Sequence, residues 1–90
     1  MPYTFARSQE LFQRAQRSIA AGVNSGIRKL EAPVPLYFTH GSGANLWDAD
    51  GNHYLDFQLG QGALLYGHAP AGMADALAAQ ARLGTHWAAQ

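Results

Sequence analysis

Ninety residues carry six Lys plus Arg, six Asp plus Glu, four His and no Cys, giving no formal charge at pH 7. That length holds one domain at most, and the absence of cysteine removes disulfides, thiolate catalysis and Cys-based zinc sites together. Six scattered basic residues argue against a nucleic-acid binder, and no uninterrupted apolar run exceeds that of Ala63–Tyr66, far short of the roughly 20 residues of a membrane span.

In chain order, Ser8 reads as an N-cap, with Gln9 and Glu10 in the first turn of a helix over 8–20. Leu11, Phe12, Ala15 and Ile19 share one face of it, Arg7, Arg14 and Arg17 decorate the other, and Gly22 closes it. Arg7, Glu10 and Arg14 also stand where a signal peptide needs an apolar core. Residues 22–35 contain Gly22, Gly26, Pro33 and Pro35 and predict an irregular loop. A loop of that length in a compact domain is often functional. From Leu36 the pattern turns to strands: Leu36–His40, Ala44–Asp48 and His53–Phe57, broken at Gly41-Ser42-Gly43 and at Ala49-Asp50-Gly51-Asn52. Asp-Gly between two such runs is a hairpin signal, so 36–57 reads as a three-stranded antiparallel meander. A glycine-rich loop over 58–69 follows, then an Ala-rich helix over 70–83 opened by Pro70 and closed by Gly84, with Met73, Leu77 and Ala81 as its apolar stripe. Thr85–Gln90 brings Trp87 but no element to pack it. The fold class is thus α+β: helix, long loop, antiparallel meander, glycine loop, helix.

Few constellations carry chemistry. The histidines at 40, 53, 68 and 86 form no ligand pair, so no metal site is expected. His68, in the glycine loop, suits backbone bonding better than ligation. Asp48-Ala49-Asp50-Gly51-Asn52 lacks both the glycine position and the glutamate of a calcium loop. Gly60, Gly62 and Gly67 miss the dinucleotide-binding spacing, and neither a phosphate-binding Gly-Lys-Ser/Thr nor a nucleophile elbow occurs. Within the 22–35 loop, Ser25 stands three residues before Arg28, whose guanidinium suits a carboxylate. Beside it lies the single lysine, Lys29.

Gly22-Val23-Asn24-Ser25-Gly26-Ile27-Arg28 resembles the glycine-valine-asparagine-serine loop, ending in arginine, of the glutamate-1-semialdehyde 2,1-aminomutases. Leu46–Phe57 is similar to the N-terminal meander of class III aminotransferases, and Gly67-His68, a small residue, Pro70 and an Ala-rich helix continue the same order. The resemblance implies the N-terminal part of a fold type I, pyridoxal-phosphate-dependent α/β enzyme that works as a homodimer in the cytoplasm. It implies a small amino acid or keto acid substrate, contacted here by Ser25, Arg28 and Gln61. Catalytic and cofactor-binding residues would lie outside this segment, since Lys29 does not match the family's Schiff-base lysine. Gln61 stands where the aminomutases commonly carry an aromatic residue, Gly26 replaces a proline, and Pro70 comes one position early. Those departures point to a relative with another amino donor, such as a β-amino acid or D-amino acid.

Seventeen of the apolar residues are Ala, leaving 26 larger side chains, a thin supply for a self-sufficient core at this length. Residues 1–90 are therefore expected to be an incomplete domain, catalytically silent alone. The alternative is a small non-catalytic interaction module, which should fold cooperatively by itself.

Overall fold

The computed structural model describes residues 2–88. Met1, Ala89 and Gln90, and with them both ends of the expected 1–90 segment, lie outside the described residues. Two α-helices flank a three-stranded antiparallel sheet: α1 is Ala6–Ala15, β1 Phe38–Ser42, β2 Asn45–Asp48, β3 His53–Leu55 and α2 Met73–Leu83.

The predicted meander is present, strand order β1-β2-β3. Leu46 pairs with Gly41 and Tyr54, and Trp47 pairs with His40 and His53. Period-two alternation puts the last three on one face. There Trp47 stacks on His40 at 4.7 Å and on His53 at 5.1 Å. On the other face Tyr54 meets Tyr3 and Phe38 edge-to-face, at 5.2 and 5.7 Å. The first strand runs to Ser42 rather than ending at His40, because Gly43 and Ala44 alone make the turn into β2. A bulge falls between Phe38 and His40, where the Thr39 hydroxyl donates to the Trp47 carbonyl at 3.2 Å.

The first helix corrects the reading of Ser8. Ala6–Ala15 is shorter than 8–20, starts two residues earlier, and holds Ser8 inside its first turn, fully buried. Phe5 occupies the cap position and offers no side-chain acceptor. Asp50 does that work from 42 residues away: its carboxylate accepts from the Arg7 and Ser8 amides at 2.6 and 2.9 Å. A carboxylate there satisfies two orphan amides and suits the helix dipole, a role worth about 1 kcal/mol. At the other end the chain turns extended at Ile19 and left-handed at Ala21, so the face with Leu11, Phe12 and Ala15 loses Ile19 from the helix.

The loop over 22–35 is less irregular than predicted. Gly26–Leu30 winds into a 3₁₀ helix, and Ala20–Gly22 makes a shorter one. The prolines act only after Leu30, so the local i to i+3 bonds form before them. The second helix begins at Met73 rather than Pro70, because Gly72 is left-handed (φ 81°) and cannot sit inside a helix. Gly84 closes it as predicted.

Packing is sparse. Val34, 3% exposed, is the buried large apolar side chain among the described residues. Phe57, Leu65 and Tyr66 are more than four-fifths exposed, and every residue from 71 to 83 faces solvent, the Met73–Leu77 stripe included. Burial of such side chains ordinarily contributes about 1.5–3 kcal/mol each; here that contribution is largely absent. The isolated 90-residue chain should therefore melt gradually on heating. A sharp thermal transition with well-dispersed amide resonances would instead support a self-sufficient module.

Candidate functional site

The end of α1, the 3₁₀ helix and the extended segment leading into β1 line an open cavity of about 350 Å³. Asn24, Ser25, Arg28, Leu36, Tyr37 and Phe38 are among the residues that line it. The geometry thus brings Ser25 and Arg28 together, as their spacing on one 3₁₀ turn requires: the Arg28 amide donates to the Ser25 carbonyl at 3.0 Å.

Arg28 is not idle. Its Nη1 donates to Glu31 Oε1 at 2.7 Å, while the other oxygen, Oε2, accepts from the Leu36 amide at 3.2 Å. Glu31 thereby ties the 3₁₀ helix to the extended segment and holds the guanidinium at one nitrogen. With more than half of the Arg28 side chain exposed, this pair contributes a few tenths of a kcal/mol at most. A guanidinium has five N–H donors, so Nη2 and Nε remain for a second carboxylate. Glu31 is the participant that sequence reasoning missed, although its i, i+3 spacing from Arg28 was visible.

Gln61 is not among the cavity-lining residues. It sits exposed in the 58–67 loop, left-handed at φ 59° between two left-handed glycines, with Leu59 also left-handed at 46°. Such a backbone costs a non-glycine residue roughly 1–2 kcal/mol, so something must hold the loop in place. The hold comes from Asp56 and His68. Asp56 Oδ1 accepts from the Gln58 and Leu59 amides at 2.9 and 3.0 Å, and Oδ2 meets His68 Nε2 at 2.6 Å. The Leu59 amide first, then His68, hold the Asp56 carboxyl below the ordinary aspartate range. His68 also pairs through its backbone with Gly43, in both directions, at 2.8 and 2.9 Å. Backbone bonding by His68 is therefore present, with a carboxylate contact beside it. Two glycines are obligatory here: a Cβ on Gly41 would lie 2.8 Å from the His68 ring, and one on Gly67 2.8 Å from the Gly43 carbonyl.

Acidic residues elsewhere are structural. Asp48, 2% exposed, accepts from the amides of Asp50 and Asn52, from the Asn52 side chain and from the Tyr54 hydroxyl, all at 2.8–3.0 Å. Burial pushes its carboxyl up, but those four donors outweigh burial and hold it below 3.8. The same contact, with burial foremost, pushes the Tyr54 phenol up to about 12. Among the described residues no group of three or more His, Asp or Glu could hold a metal ion, and the hairpin turn stands in place of a calcium loop. Lys29 is exposed on the 3₁₀ helix, so no lysine of this chain sits in the desolvated pocket that a covalently held cofactor needs.

No family model matches the chain. It is 44% identical over 87 residues to glutamate-1-semialdehyde 2,1-aminomutase of Chloroflexus aggregans, a match covering 94% of this chain and 20% of that protein. The fold matches a glutamate-1-semialdehyde aminomutase from Pseudomonas aeruginosa with a TM-score of 0.80 and 31% identity, over 94% of this chain and 19% of that one. It also matches a β-phenylalanine aminotransferase from Variovorax paradoxus with a TM-score of 0.77 and 34% identity, over 88% and 18%. The chain therefore spans about one fifth of the length of the relatives it matches. Sequence and fold agree: along its own length it is a relative of the aminomutases and aminotransferases, and its two helices and three-stranded sheet match their N-terminal part.

Asp48 and Tyr54 together set a pH dependence for the hairpin turn. Asp48 favours the folded turn above its ordinary pKa, and that contribution is lost as pH falls through the lower folded value. Tyr54 favours it below pH 10 and loses that contribution as pH rises towards about 12. Tyr54→Phe keeps the ring packing but removes one donor from Asp48, so acid opening of the turn should begin at higher pH. Hydrogen exchange of a peptide spanning 46–56, followed from pH 6 down to 3, checks this; superimposable profiles for variant and wild type would show that the hydroxyl contributes nothing.

Proposed function

We propose that this chain is the N-terminal part of a pyridoxal-phosphate-dependent aminotransferase, moving an amino group between a small amino acid and a carbonyl compound. The cavity shared by Ser25 and Arg28 carries the reading, joined to sequence and fold similarity over about nine tenths of the chain. In this reading Arg28 pairs with the substrate carboxylate through the donors that Glu31 leaves free, and Ser25 adds a hydroxyl beside it. Gln61 contacts substrate from the glycine loop, which needs the rest of the enzyme to bring it near the cavity. The whole protein acts as a homodimer in the cytoplasm.

The cofactor, when bound, supplies the electron sink for amino-group transfer. The residues present here do not fit it: the single lysine is exposed, and among the described residues nothing buried and cationic lines the cavity. Its holding groups therefore lie elsewhere in the enzyme, and this segment contributes substrate binding alone. Relatives include both aminomutases and a β-phenylalanine aminotransferase, and the departures from the aminomutase pattern favour a β-amino acid as donor. Gln61, in place of an aromatic residue, points the same way.

Two measurements test this. The coding sequence following Gln90 should encode a further lysine in a cofactor pocket, and a stop codon there removes the enzyme reading. In the enzyme-length protein, Arg28→Ala should raise KM for a carboxylate-bearing donor roughly 10- to 100-fold, the worth of charged hydrogen bonds of about 1.5–3 kcal/mol. The turnover number should change little. Unchanged KM would leave Arg28 as a surface partner of Glu31.

A further inference from the structure

Residues 57–67 form a loop that leaves several of its large side chains in solvent. Phe57 is 93% exposed, and Leu65 and Tyr66 are nearly as open. Its backbone nevertheless makes internal bonds from the Gly62, Leu64 and Gly67 amides to the carbonyls of Gln58, Leu59 and Leu64. It also carries left-handed Leu59 and Gln61. Backbone of this kind persists only where its surroundings over-determine it. The determinant sits at the loop's neck. One carboxylate, Asp56, engages the entry through Gln58 and Leu59 and the exit through His68. Each side of that neck is pinned to the β1–β2 turn by its own backbone bonds. The Asp56 amide donates to the Ala44 carbonyl at 2.7 Å, and His68 exchanges two backbone bonds with Gly43. The His68 ring fills the space that Gly41 leaves open on β1, so its Nε2 has a fixed bearing toward Asp56.

We propose that Asp56 and His68 are positioning residues that preorganise the 57–67 loop and thereby present Gln61 to substrate. The presentation half rests on the aminotransferase reading; the preorganisation half does not. A compact surface loop whose ends are drawn together is a common carrier of binding residues. Without the neck, the loop populates other courses and Gln61 is correctly placed only part of the time. Apparent affinity then falls by that fraction. A loop ordered one tenth of the time weakens substrate binding about tenfold while the reacting centre is untouched.

The test uses the enzyme-length protein and His68→Phe, which keeps a ring over Gly41 but cannot donate to Asp56. Hydrogen exchange of the 57–67 peptide should accelerate about tenfold, with peptides over β1 and β2 unchanged. KM for β-phenylalanine as amino donor should rise about tenfold, with the turnover number within about twofold. His68→Gln, whose amide can still donate to the carboxylate, should recover part of both effects. Unchanged exchange in the loop, or equal acceleration throughout the sheet, overturns the preorganising role. Faster loop exchange with unchanged KM overturns the presentation of Gln61. A wild-type protein that transfers no amino group overturns the aminotransferase reading and the presentation half with it, while the exchange comparison still decides the neck.

Discussion

The buried carboxylate of Asp48 is the contact on which the ordered part of the molecule depends. A desolvated negative charge is costly unless donors surround it, and here four donors do so. Meeting that demand folds the 48–52 turn into one geometry, which turns Asp50 outward to the α1 amides and Asn52 to the backbone of Thr4. The Tyr3 hydroxyl donates to the His53 carbonyl just beyond. One charge thus sets the hairpin, docks the N-terminal segment and starts the first helix.

Much of the architecture is held in the same manner, by polar closures at points where two stretches of chain meet. Glu31 joins the 3₁₀ helix to the strand entry, and Asp56 joins the two ends of the glycine loop. Both are carboxylates with one oxygen on a backbone amide and the other on a cationic or imidazole side chain. Hydrogen bonds of this kind specify direction, whereas apolar burial mainly supplies energy. A segment rich in the first and poor in the second keeps its loops aimed but relies on neighbouring surface for stability.

The meander was readable because Asp50-Gly51 and the alternation of Leu46–Asp48 against His53–Leu55 are local signals. Ser25 and Arg28 could be placed together for the same reason, being one 3₁₀ turn apart. Ser8 misled because its acceptor role passed to Asp50, and no local pattern announces a cap from a distant turn. The bond between Asp56 and His68 was equally silent, since it depends on Gly41 and Gly43 lying under the histidine in space. Gln61 shows the limit from the other side: the resemblance groups it with Arg28, whereas the geometry keeps it out of the cavity that Arg28 lines.

The cap on α1 has a consequence in time. The helix leaves the ribosome before the carboxylate that secures its first turn, which belongs to a residue 42 positions later. At about 5–20 residues per second, the ribosome delivers that residue roughly 2–8 s afterwards. A ten-residue helix is marginal by itself in water, so in that interval it forms and melts many times over. The helix is therefore fixed no earlier than the hairpin turn, which is what ends its waiting.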